Sequence, residues 1–410
     1  MNIWYLSAHD QPEGHSARTY DYCVKFAQRG HRVTMFTNSY CHFTHCERLT
    51  EPVPWKIEMF DGVRVVWLKT VPYQGNGWGR GVNMLTNMVR SLQAACALKE
   101  KPDVVLGPSV PLFTALSAHI IAWMKKAAFV FEVRDIWPQA LVDLGYITKS
   151  NPLFIIFRAV ECYLYRKADR ISAVLPLTYQ HVESSGGDPS KVTWISNGIH
   201  LDRFEKLPEY GGGRPDRLTL LYVGGFSVSH AVETIIETAA LIESDFGDAC
   251  RFILVGAGSE RAGCEARARE LGLRNVEFRN PIPKSEVPDV LAEADILMVS
   301  VKDVPIYRYG INFNKVFDYL AAGRPILFAC NAPNDPVRES GAGISVPPEN
   351  PEQMAKAIRT FFSMTPIERC ALGANGRRYA QKELDVDTLA QRFELLLLDA
   401  VKCAEARRAS

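Results

Sequence analysis

The feature that most constrains the fold is an alternation of short apolar strands and amphipathic helices, which runs through the chain twice. Residues 3–7 begin the first run and residues 218–226 begin the second, and each segment is followed by a glycine-bearing loop and a helical pattern. Strands that alternate with helices form parallel sheets covered on both faces. The sequence therefore predicts an α/β fold with two doubly wound domains.

A glycine- and proline-rich stretch over residues 197–215 separates the two runs. We therefore predict one domain over residues 1–197 and a second over residues 198–385. The terminal segment, residues 386–410, places apolar side chains such as Phe393 on one helical face and is predicted to be a helix.

Composition excludes several classes of function. The chain has 410 residues, of which 47% are hydrophobic and 23% charged, with a net charge of +1. Such a balance gives no general attraction to nucleic acid, so a small anionic partner must be met by locally placed Lys and Arg. Ten scattered cysteines form no disulfide framework, and we find neither a signal peptide nor an apolar run of about 20 residues. We expect a reduced, cytoplasmic protein without a spanning helix.

Residues 309–328 combine a glycine turn, a helix start and a following strand. Gly310 allows a positive φ angle, and Asn312 or Asn314 can cap a helix that begins near Asn314. A glycine and a proline then end the helix, and an apolar segment reads as a buried parallel strand.

The start of this helix has the chemistry of a diphosphate site. Backbone N–H groups and the positive dipole end converge there, and Lys315 adds a full positive charge. Asp318 lies three residues later on the same face, within reach of a hydroxyl-rich group attached to the phosphate. A nucleotide diphosphate fits this pair. The alternative is an ordinary capped helix on which Lys315 and Asp318 form a surface ion pair.

Glu132, Arg134 and Asp135 follow a predicted strand over residues 128–131, at the edge where open α/β sheets bind ligands. We consider all three as candidate catalytic residues. An extended backbone would send the two acids to different faces. The alternative is an arginine–aspartate ion pair that ties down the loop.

The loop over residues 9–19 is dense in polar groups, His15 and Arg18 among them. Its one glycine, Gly14, does not make the dinucleotide fingerprint, so redox chemistry with a nucleotide cofactor gains little support.

The loop over residues 73–81 contains four glycines, two aromatic residues and an arginine. Trp78 can hold an acceptor there while Arg80 meets a phosphate, although a flexible connector is an equally simple interpretation.

Two further segments have alternative interpretations. Residues 41–46 contain two cysteines and two histidines, but their spacing is not that of the usual separated zinc ligands, so we predict a polar loop and no metal. Residues 151–169 form an amphipathic helix with an aromatic face and a basic end, which suits core packing or contact with a membrane surface.

Residues 309–328 resemble the nucleotide-sugar segment of family-4 retaining glycosyltransferases of the GT-B architecture. The branch is that of N-acetylfucosamine and other amino-sugar transferases of O-antigen and capsule synthesis, which also have a segment similar to residues 134–138. Those enzymes carry two acidic residues separated by seven others. Here Gly310 stands at the first acidic position and Asp318 at the second, so no carboxylate remains at the first to face the donor sugar.

The resemblance implies two Rossmann-like domains that face each other across a cleft, with the terminal helix crossing back to the first. It implies that Asp318 binds the ribose, that residues 14–18 face the diphosphate and the acceptor, and that the turn after Arg279 meets the nucleobase, favouring uracil. Relatives carry arginine and lysine where Gly225, Ser227 and His230 stand, which shifts the phosphate contacts to Lys315, Arg308 and loop amides. The full candidate set for the nucleotide sugar is Gly14, Gly225, His230, Arg279, Asn280, Arg308, Gly310, Asn312, Phe313, Asn314, Lys315 and Asp318. On the acceptor side it is His15, Arg18, Trp78 and Arg80.

The function implied is retaining transfer of a sugar, an N-acetylated amino sugar, from a UDP donor to a lipid-linked saccharide in surface polysaccharide synthesis. It needs no metal or cofactor and takes place at the inner face of the cytoplasmic membrane. One alternative is a UDP-N-acetylhexosamine 2-epimerase of similar fold, in which Glu132 and Asp135 transfer protons. Another is a subunit that binds a nucleotide sugar without catalysis, since fold alone does not fix function.

Overall fold

The computed structural model describes residues 1–12, 18–42, 44–75 and 77–409 of the chain. Contacts divide the chain into two compact units, Met1–Asn197 with Val386–Ser410 and Gly198–Asp385. Each unit contains one sheet of predominantly parallel strands with helices packed against it. The predicted α/β class with two doubly wound domains is confirmed.

The bounds of the elements follow the chain. The strands are β1 (Asn2–Leu6), β2 (Arg32–Asn38), β3 (Trp55–Phe60), β4 (Val63–Leu68), β5 (Val104–Pro108), β6 (Ala128–Val133), β7 (Arg170–Ala173), β8 (Val192–Trp194), β9 (Leu218–Val223), β10 (Cys250–Val255), β11 (Val276–Arg279), β12 (Ile296–Ser300), β13 (Ile326–Ala329) and β14 (Gly343–Val346). The helices are α1 (Arg18–Gln28), α2 (Trp78–Ala97), α3 (Leu112–Lys125), α4 (Gln139–Asp143), α5 (Pro152–Lys167), α6 (Thr178–Ser184), α7 (Val232–Phe246), α8 (Arg261–Glu270), α9 (Val287–Leu291), α10 (Asn314–Ala322), α11 (Pro336–Ser340), α12 (Pro351–Ser363), α13 (Pro366–Tyr379) and α14 (Val386–Ala409).

The sheet of the first unit has the order β3-β4-β2-β1-β5-β6-β7-β8. All its neighbours are parallel except β3, which pairs antiparallel with β4. Strand order reverses between β1 and β5, and in open α/β sheets the crevice outside the carboxyl ends at such a point binds ligands. The loops after β1 and β5 therefore border the first candidate region.

Strand β3 is an element that we did not predict from the sequence. Asp61 and Gly62 join it to β4 with φ angles of 47° and 81°, which is the conformation of a two-residue hairpin turn. An Asp-Gly pair between two apolar segments is the usual signal of such a hairpin, so the sequence did contain the information.

The two faces of this sheet carry different helices. Leu106 and Val130 belong to the core cluster that α14 completes through Phe393. Their neighbours along the strands face the other way: a Cβ at Gly107 would lie 2.6 Å from that of Ala118 on α3, and Phe131 contacts Tyr165 of α5 with ring centroids 5.4 Å apart. Helices α3 and α5 thus cover the face opposite to α14.

The terminal helix α14 is part of the first unit, as the resemblance implies. Phe393 is fully buried and meets the rings of Tyr5, Tyr22 and Phe26 edge-on, with centroids 5.1 to 6.3 Å apart. The chain therefore leaves the first unit after Asn197 and returns to it at Val386.

The second unit has a six-stranded sheet in the order β11-β10-β9-β12-β13-β14, with every pair parallel. Strand order reverses between β9 and β12. Separate apolar clusters pack on its two faces, around Phe317 and Leu320 of α10 on one and around Ile235 and Ile236 of α7 on the other. The carboxyl ends of β9 and β12 mark the second candidate region.

Two further expectations concern helices. The glycine-rich loop is shorter than predicted, because α2 already begins at Trp78 and includes Arg80. Among the described residues, no helix is long and apolar enough to cross a membrane.

Candidate functional site

The loop after β9 forms one wall of the candidate site in the second unit. Its backbone lies directly on the loop after β10, where the Phe226 amide donates to the Ala257 carbonyl at 2.8 Å. A Cβ at Gly256 would collide with the Gly224 carbonyl, and one at Gly258 would collide with the Phe226 carbonyl. Both glycines have φ angles, 147° and 154°, that side chains rarely adopt. The glycines after β10 therefore allow the two loops to pack closely.

Lys315 places its ammonium group under this loop. Its Nζ lies 3.0 Å from the Tyr222 hydroxyl, which donates to the Gly225 carbonyl at 2.6 Å, and 4.6 Å from the centre of the Tyr222 ring. A Cβ at Gly224 would come within 2.8 Å of Nζ, so the missing side chain makes room for the lysine. Burial lowers the pKa of Lys315 to about 7. The predicted cation thus lies at the carboxyl end of β9, in surroundings that destabilise its charged form.

His230 lies beside the same loop but does not supply a second cation. Its Nδ1 is 3.0 Å from the Ser227 hydroxyl, and its ring contacts the position where a Gly225 Cβ would be. Burial, with the charge of Lys315 as a smaller cause, lowers the pKa of His230 to about 4. The imidazole is therefore neutral near pH 7, so it can offer a phosphate a hydrogen bond but no charge.

The start of α10 differs in one respect from the sequence prediction. The helix begins at Asn314 and ends at Gly323 in left-handed conformation, as predicted, but the residue before its first turn is Phe313, which makes no side-chain cap. Asparagine instead stabilises the preceding loop from another element: Asn334 accepts from the Ile311 amide at 2.7 Å and donates to the Ile311 carbonyl at 3.0 Å. Gly310, with a φ angle of 109°, allows this turn. The cap predicted at Asn312 or Asn314 is therefore wrong.

Asp318 has a different partner from the one considered above. Its carboxylate lies 3.7 Å from Arg203, whose other nitrogen donates to the Lys284 carbonyl at 2.7 Å. Burial raises the pKa of Asp318, and the charges of Arg203 and Lys284 oppose that rise. Since Lys315 points to Tyr222 and Asp318 to Arg203, the alternative of a Lys315–Asp318 surface pair is wrong. Arg203 is a residue that sequence reasoning missed.

The remaining candidates of this unit lie nearer the surface. Arg279 at the end of β11 pairs with Glu277 and Glu293, both at 2.7 Å, while Asn280 beside it is exposed. Arg308 is exposed and lies over the Tyr309 ring at 4.7 Å. The structure thus brings Lys315, Gly225 and His230 together, whereas Arg308 and Asn280 are exposed on their loops.

In the first unit, Glu132 and Arg134 belong to a buried ion network. Glu132 lies within β6, is 0% exposed, and accepts from Arg18 at 2.9 Å and from Arg134 at 2.8 Å. Arg134 also binds Asp10 at 2.7 Å. The charges of the two arginines lower the pKa of Glu132 against the effect of burial. An ionised carboxylate with both oxygens bound to arginine can hold those arginines in place. The geometry therefore speaks against proton transfer by Glu132.

Arg18 is likewise occupied. Besides Glu132, its guanidinium donates to the carbonyls of Ile195 and Ser196 and to the Asn197 side chain at 2.7 to 3.0 Å. Every guanidinium nitrogen has a partner inside the unit, and the role on the acceptor side that we expected for Arg18 stays a prediction. In the structure, Arg18 joins β6 to the end of the first unit.

The remaining candidates of the first unit are the catalytic candidate Asp135 and the acceptor-side residues around Trp78. Asp135 is exposed, and its backbone is held by the Ser109 hydroxyl, which donates to its carbonyl at 3.0 Å. The ion pair between Arg134 and Asp135 that we considered as the alternative is replaced by the pair of Arg134 with Asp10. Trp78 is 94% exposed. Gly14 and His15 lie outside the described residues.

His9 lies in the loop after β1 and is a further candidate site residue that we did not single out. Among the described residues neither ring nitrogen has a hydrogen-bond partner, and the ring is tilted by 40° against that of His42 with centroids 4.9 Å apart. Burial, His42 and Arg80 lower the pKa of His9 to about 4. A neutral imidazole has one donor and one acceptor nitrogen, and both nitrogens of His9 are buried.

The histidines of residues 41–46 have tyrosine partners. His42 Nδ1 lies 2.6 Å from the Tyr73 hydroxyl and His45 Nδ1 lies 3.1 Å from that of Tyr40. Within the described ranges, no group of three or more His, Cys, Asp or Glu residues is arranged to hold a metal.

A surface groove of about 660 Å³ lies at the opposite edge of the second sheet, where β9, β10 and β11 begin. Two of the arginines that line it have acidic partners: Arg251 pairs with Glu277, and Arg214 lies 3.4 Å from Asp216. It contains none of the candidate residues, so we assign the site to the carboxyl edge.

Comparison with known families matches both units. Residues 13–198 match the glycosyl transferase 4-like domain, and residues 217–363 match the glycosyl transferases group 1. Among curated proteins, the glycosyltransferase WbjE of Pseudomonas aeruginosa is 22% identical over 68% of this chain and 72% of its own length. The colanic acid biosynthesis glycosyl transferase WcaI of Escherichia coli K12 is 23% identical over 83% of this chain and 85% of its own.

Solved structures match along the whole chain. Sucrose-phosphate synthase of Thermosynechococcus elongatus superposes with a TM-score of 0.72 at 18% identity, covering 100% of both chains. The Anabaena protein HepE in complex with UDP and glucose superposes with a TM-score of 0.68 at 16% identity, covering 97% of this chain and 99% of its own. At these identities the likeness concerns the fold.

Proposed function

We propose that this chain is a glycosyltransferase that joins a glycosyl transferase 4-like domain to a group 1 domain, and that it transfers a sugar from a UDP donor to a lipid-linked saccharide. The chain has the GT-B fold. The second unit binds the donor at the carboxyl ends of β9 and β12. The transferred group is an N-acetylated amino sugar, as in the branch that the sequence resembles. The product belongs to a surface polysaccharide, a proposal supported by the printed name of WcaI.

The observation that carries this proposal is the position of Lys315. Its Nζ lies 3.0 Å from the Tyr222 hydroxyl, beneath the loop after β9, where the missing side chain of Gly224 leaves room for it. Lys315 makes no ion pair with an acid of the described residues, and the diphosphate of a nucleotide sugar would supply the negative charge that pairs with its ammonium group. The first turn of α10 adds backbone N–H groups and the positive end of the helix dipole.

A UDP donor is favoured over other nucleotides by the comparison with HepE, which was crystallised with UDP and glucose. In this chain, the turn after Arg279 would meet the base through its backbone. Asp318 would receive the ribose hydroxyls, with Arg203 holding the carboxylate in place at 3.7 Å.

For the reaction, we propose retention of the anomeric configuration. The acceptor hydroxyl attacks from the side of the leaving group, the bond between the anomeric carbon and the phosphate oxygen breaks, and the phosphate takes the hydroxyl proton. Negative charge grows on the leaving diphosphate in this step, and Lys315 and the helix amides are placed to stabilise it. No enzyme nucleophile is required.

A non-catalytic role in binding a nucleotide sugar is the second candidate, favoured by Gly310 at an acidic position of the family and by the neutral His230. The 2-epimerase alternative loses support, because the proton transfer that it assigned to Glu132 does not suit a buried carboxylate bound by two arginines.

Product analysis tests the proposal. The protein is incubated with UDP-N-acetylhexosamines, with and without lipid-linked saccharide, and the sugars and nucleotides are separated. A transferase releases UDP and extends the saccharide only when the acceptor is present. Epimerised donor without acceptor would identify an epimerase, and UDP-sugar binding without any product would identify a binding subunit.

A further inference from the structure

One helical layer of the first unit exposes an unusual amount of apolar surface. Helix α3 packs between α2 and α5, and we call the exposed surface of these three helices the three-helix face. Among the described residues, 22 large apolar side chains are exposed, and ten of them lie here. The ten are Trp78, Val82, Leu85, Val89, Trp123, Met124, Leu153, Ile155, Ile156 and Tyr163.

The charges of this layer have one sign. The three helices contain a single acid, Glu161, whose side chain is 1% exposed and which binds Arg158 and His181. Their basic residues are Arg80, Arg90, Lys125, Arg158, Arg166 and Lys167. The whole chain, by contrast, has 46 acids against 47 Lys and Arg. The three-helix face is therefore both apolar and cationic, unlike the rest of the molecule.

The apolar stripe of α2 faces outward because its opposite side is fixed by polar contacts. Asn87 donates to the Asn38 side chain at 2.6 Å, and Asn83 donates to Thr70 at 3.0 Å and to the Val71 carbonyl at 2.7 Å. Turning the helix to bury Leu85 and Val89 would break these buried hydrogen bonds, and each unpaired group would cost about 1–3 kcal/mol. The outward orientation is thus built into the fold.

Helix α5 is fixed in the same way. Glu161 accepts from the buried Tyr165 hydroxyl at 2.9 Å and lies 2.8 Å from His181. Phe154 is 8% exposed, so the aromatic face predicted for this helix is partly core. Ile155 and Ile156, however, are 58% and 53% exposed. The helix therefore contributes to both the core and the outer surface.

We propose that the three-helix face binds the surface of a bilayer that contains anionic phospholipids, without a spanning segment. Side chains such as Leu85 and Ile155 enter the boundary of the acyl chains, Trp123 and Tyr163 suit the headgroup level, and the lysines and arginines meet the lipid phosphates. A second copy of the chain on this face would bring cation against cation, so charge complementarity favours the bilayer. The inference deepens the proposed function, on which its link to a lipid-linked acceptor rests.

Flotation tests the binding directly. The full-length protein is mixed with phosphatidylcholine vesicles with and without phosphatidylglycerol, at low and high salt. We expect it to float only with the anionic vesicles and to be released by salt. On the face, L85E and I155E should each weaken vesicle binding by at least about tenfold, because an apolar side chain is replaced by a charge of the repelled sign.

Matched control variants distinguish binding through the three-helix face from nonspecific adsorption to the vesicles. Ile367 on α13 and Leu395 on α14 are 81% and 67% exposed and lie on other surfaces. I367E and L395E should bind vesicles as the wild type does. Equal losses in these controls, or a wild type that stays at the bottom with both kinds of vesicle, would overturn the proposal. So would a dimer in light scattering that L85E converts to monomer.

UDP titration of the same variants keeps the two proposals apart. The face variants lie outside the donor site, so their UDP affinity should equal that of the wild type. Flotation together with absent transferase activity would count against the proposed function alone, whereas transferase activity without flotation would count against the three-helix face alone.

Discussion

At the scale of single residues, Lys315 is the cation that we propose to stabilise the leaving diphosphate. The loop after β9 offers Gly225 and a neutral His230, so the lysine carries the cationic charge beneath the expected diphosphate. We predict that Lys315→Ala lowers turnover by at least about a hundredfold, the scale for losing one stabilising group. The exposed Arg308 provides a matched control, and Arg308→Ala should do less. Steady-state kinetics with UDP-sugar and acceptor compares them, and near-wild-type turnover of the Lys315 variant would mean that the phosphate lies elsewhere.

The lowered pKa of Lys315 predicts a pH dependence of donor binding. Burial brings the pKa to about 7, so the empty protein loses this proton as the pH rises through 7. A bound diphosphate favours the ammonium form, so binding takes up a proton above that pH. UDP affinity should then fall by up to about tenfold per pH unit above pH 7. Calorimetry of the wild type and of Lys315→Met measures it, and an equally steep fall in the variant would assign the effect to another group.

Asp318 tests the ribose contact. Its burial beside Arg203 holds the carboxylate in one place, and a charge-assisted hydrogen bond to the ribose would be lost in Asp318→Asn. We predict weaker UDP binding by about 1.5–3 kcal/mol. Titration with a 2′,3′-dideoxy analogue gives the control, because the wild type and the variant should bind it alike. A variant with unchanged UDP affinity would leave Asp318 as the partner of Arg203 only.

Residue types were easier to predict than residue partners. The motif around Lys315 and Asp318 predicts a site from the sequence alone because its spacing is local, within a single helix. The partners Tyr222, Arg203 and Asn334 are distant along the chain, and only folding brings them near. For the same reason, the sequence alone does not show that Arg18 and Arg134 both form ion pairs with Glu132.

At the scale of elements, the terminal helix α14 completes the core of the first unit. Phe393 is fully buried among Tyr5, Tyr22 and Phe26, whereas Leu395 on the same helix is 67% exposed. We predict that Phe393→Ala lowers the free energy of unfolding of this unit by about 3–5 kcal/mol and that Leu395→Ala leaves it nearly unchanged. All seven tryptophans lie in residues 1–197, so tryptophan fluorescence during urea unfolding reports on this unit. Equal effects of both changes would contradict the assigned packing.

Element types followed from periodicity, whereas some boundaries did not. Apolar segments of strand length and helical patterns predicted most of both sheets, because buried parallel strands are apolar throughout. The antiparallel β3 was missed since it alternates half-buried and exposed residues at the sheet edge. The start of α2 at Trp78 was missed because glycines at positions 77, 79 and 81 resemble a loop.

At the scale of the whole molecule, each unit has a carboxyl edge of its mainly parallel sheet, but the side chains at the two edges differ. In the first unit Arg18 and Arg134 are bound to Glu132 and Asp10, Asp135 is exposed, and both ring nitrogens of His9 are buried. In the second unit the half-buried Lys315 lies under the loop that contains Gly224 and Gly225. The central claim is therefore that the nucleotide binds the second unit, at the carboxyl ends of β9 and β12.

Hydrogen–deuterium exchange with and without UDP tests this claim over the whole chain. We predict slower exchange in two segments, residues 224–231 and residues 310–317, because the diphosphate would order the loop after β9 and the first turn of α10. The groove at the amino ends of β9, β10 and β11 should exchange at an unchanged rate. Protection confined to that groove, or to the first unit, would contradict the account.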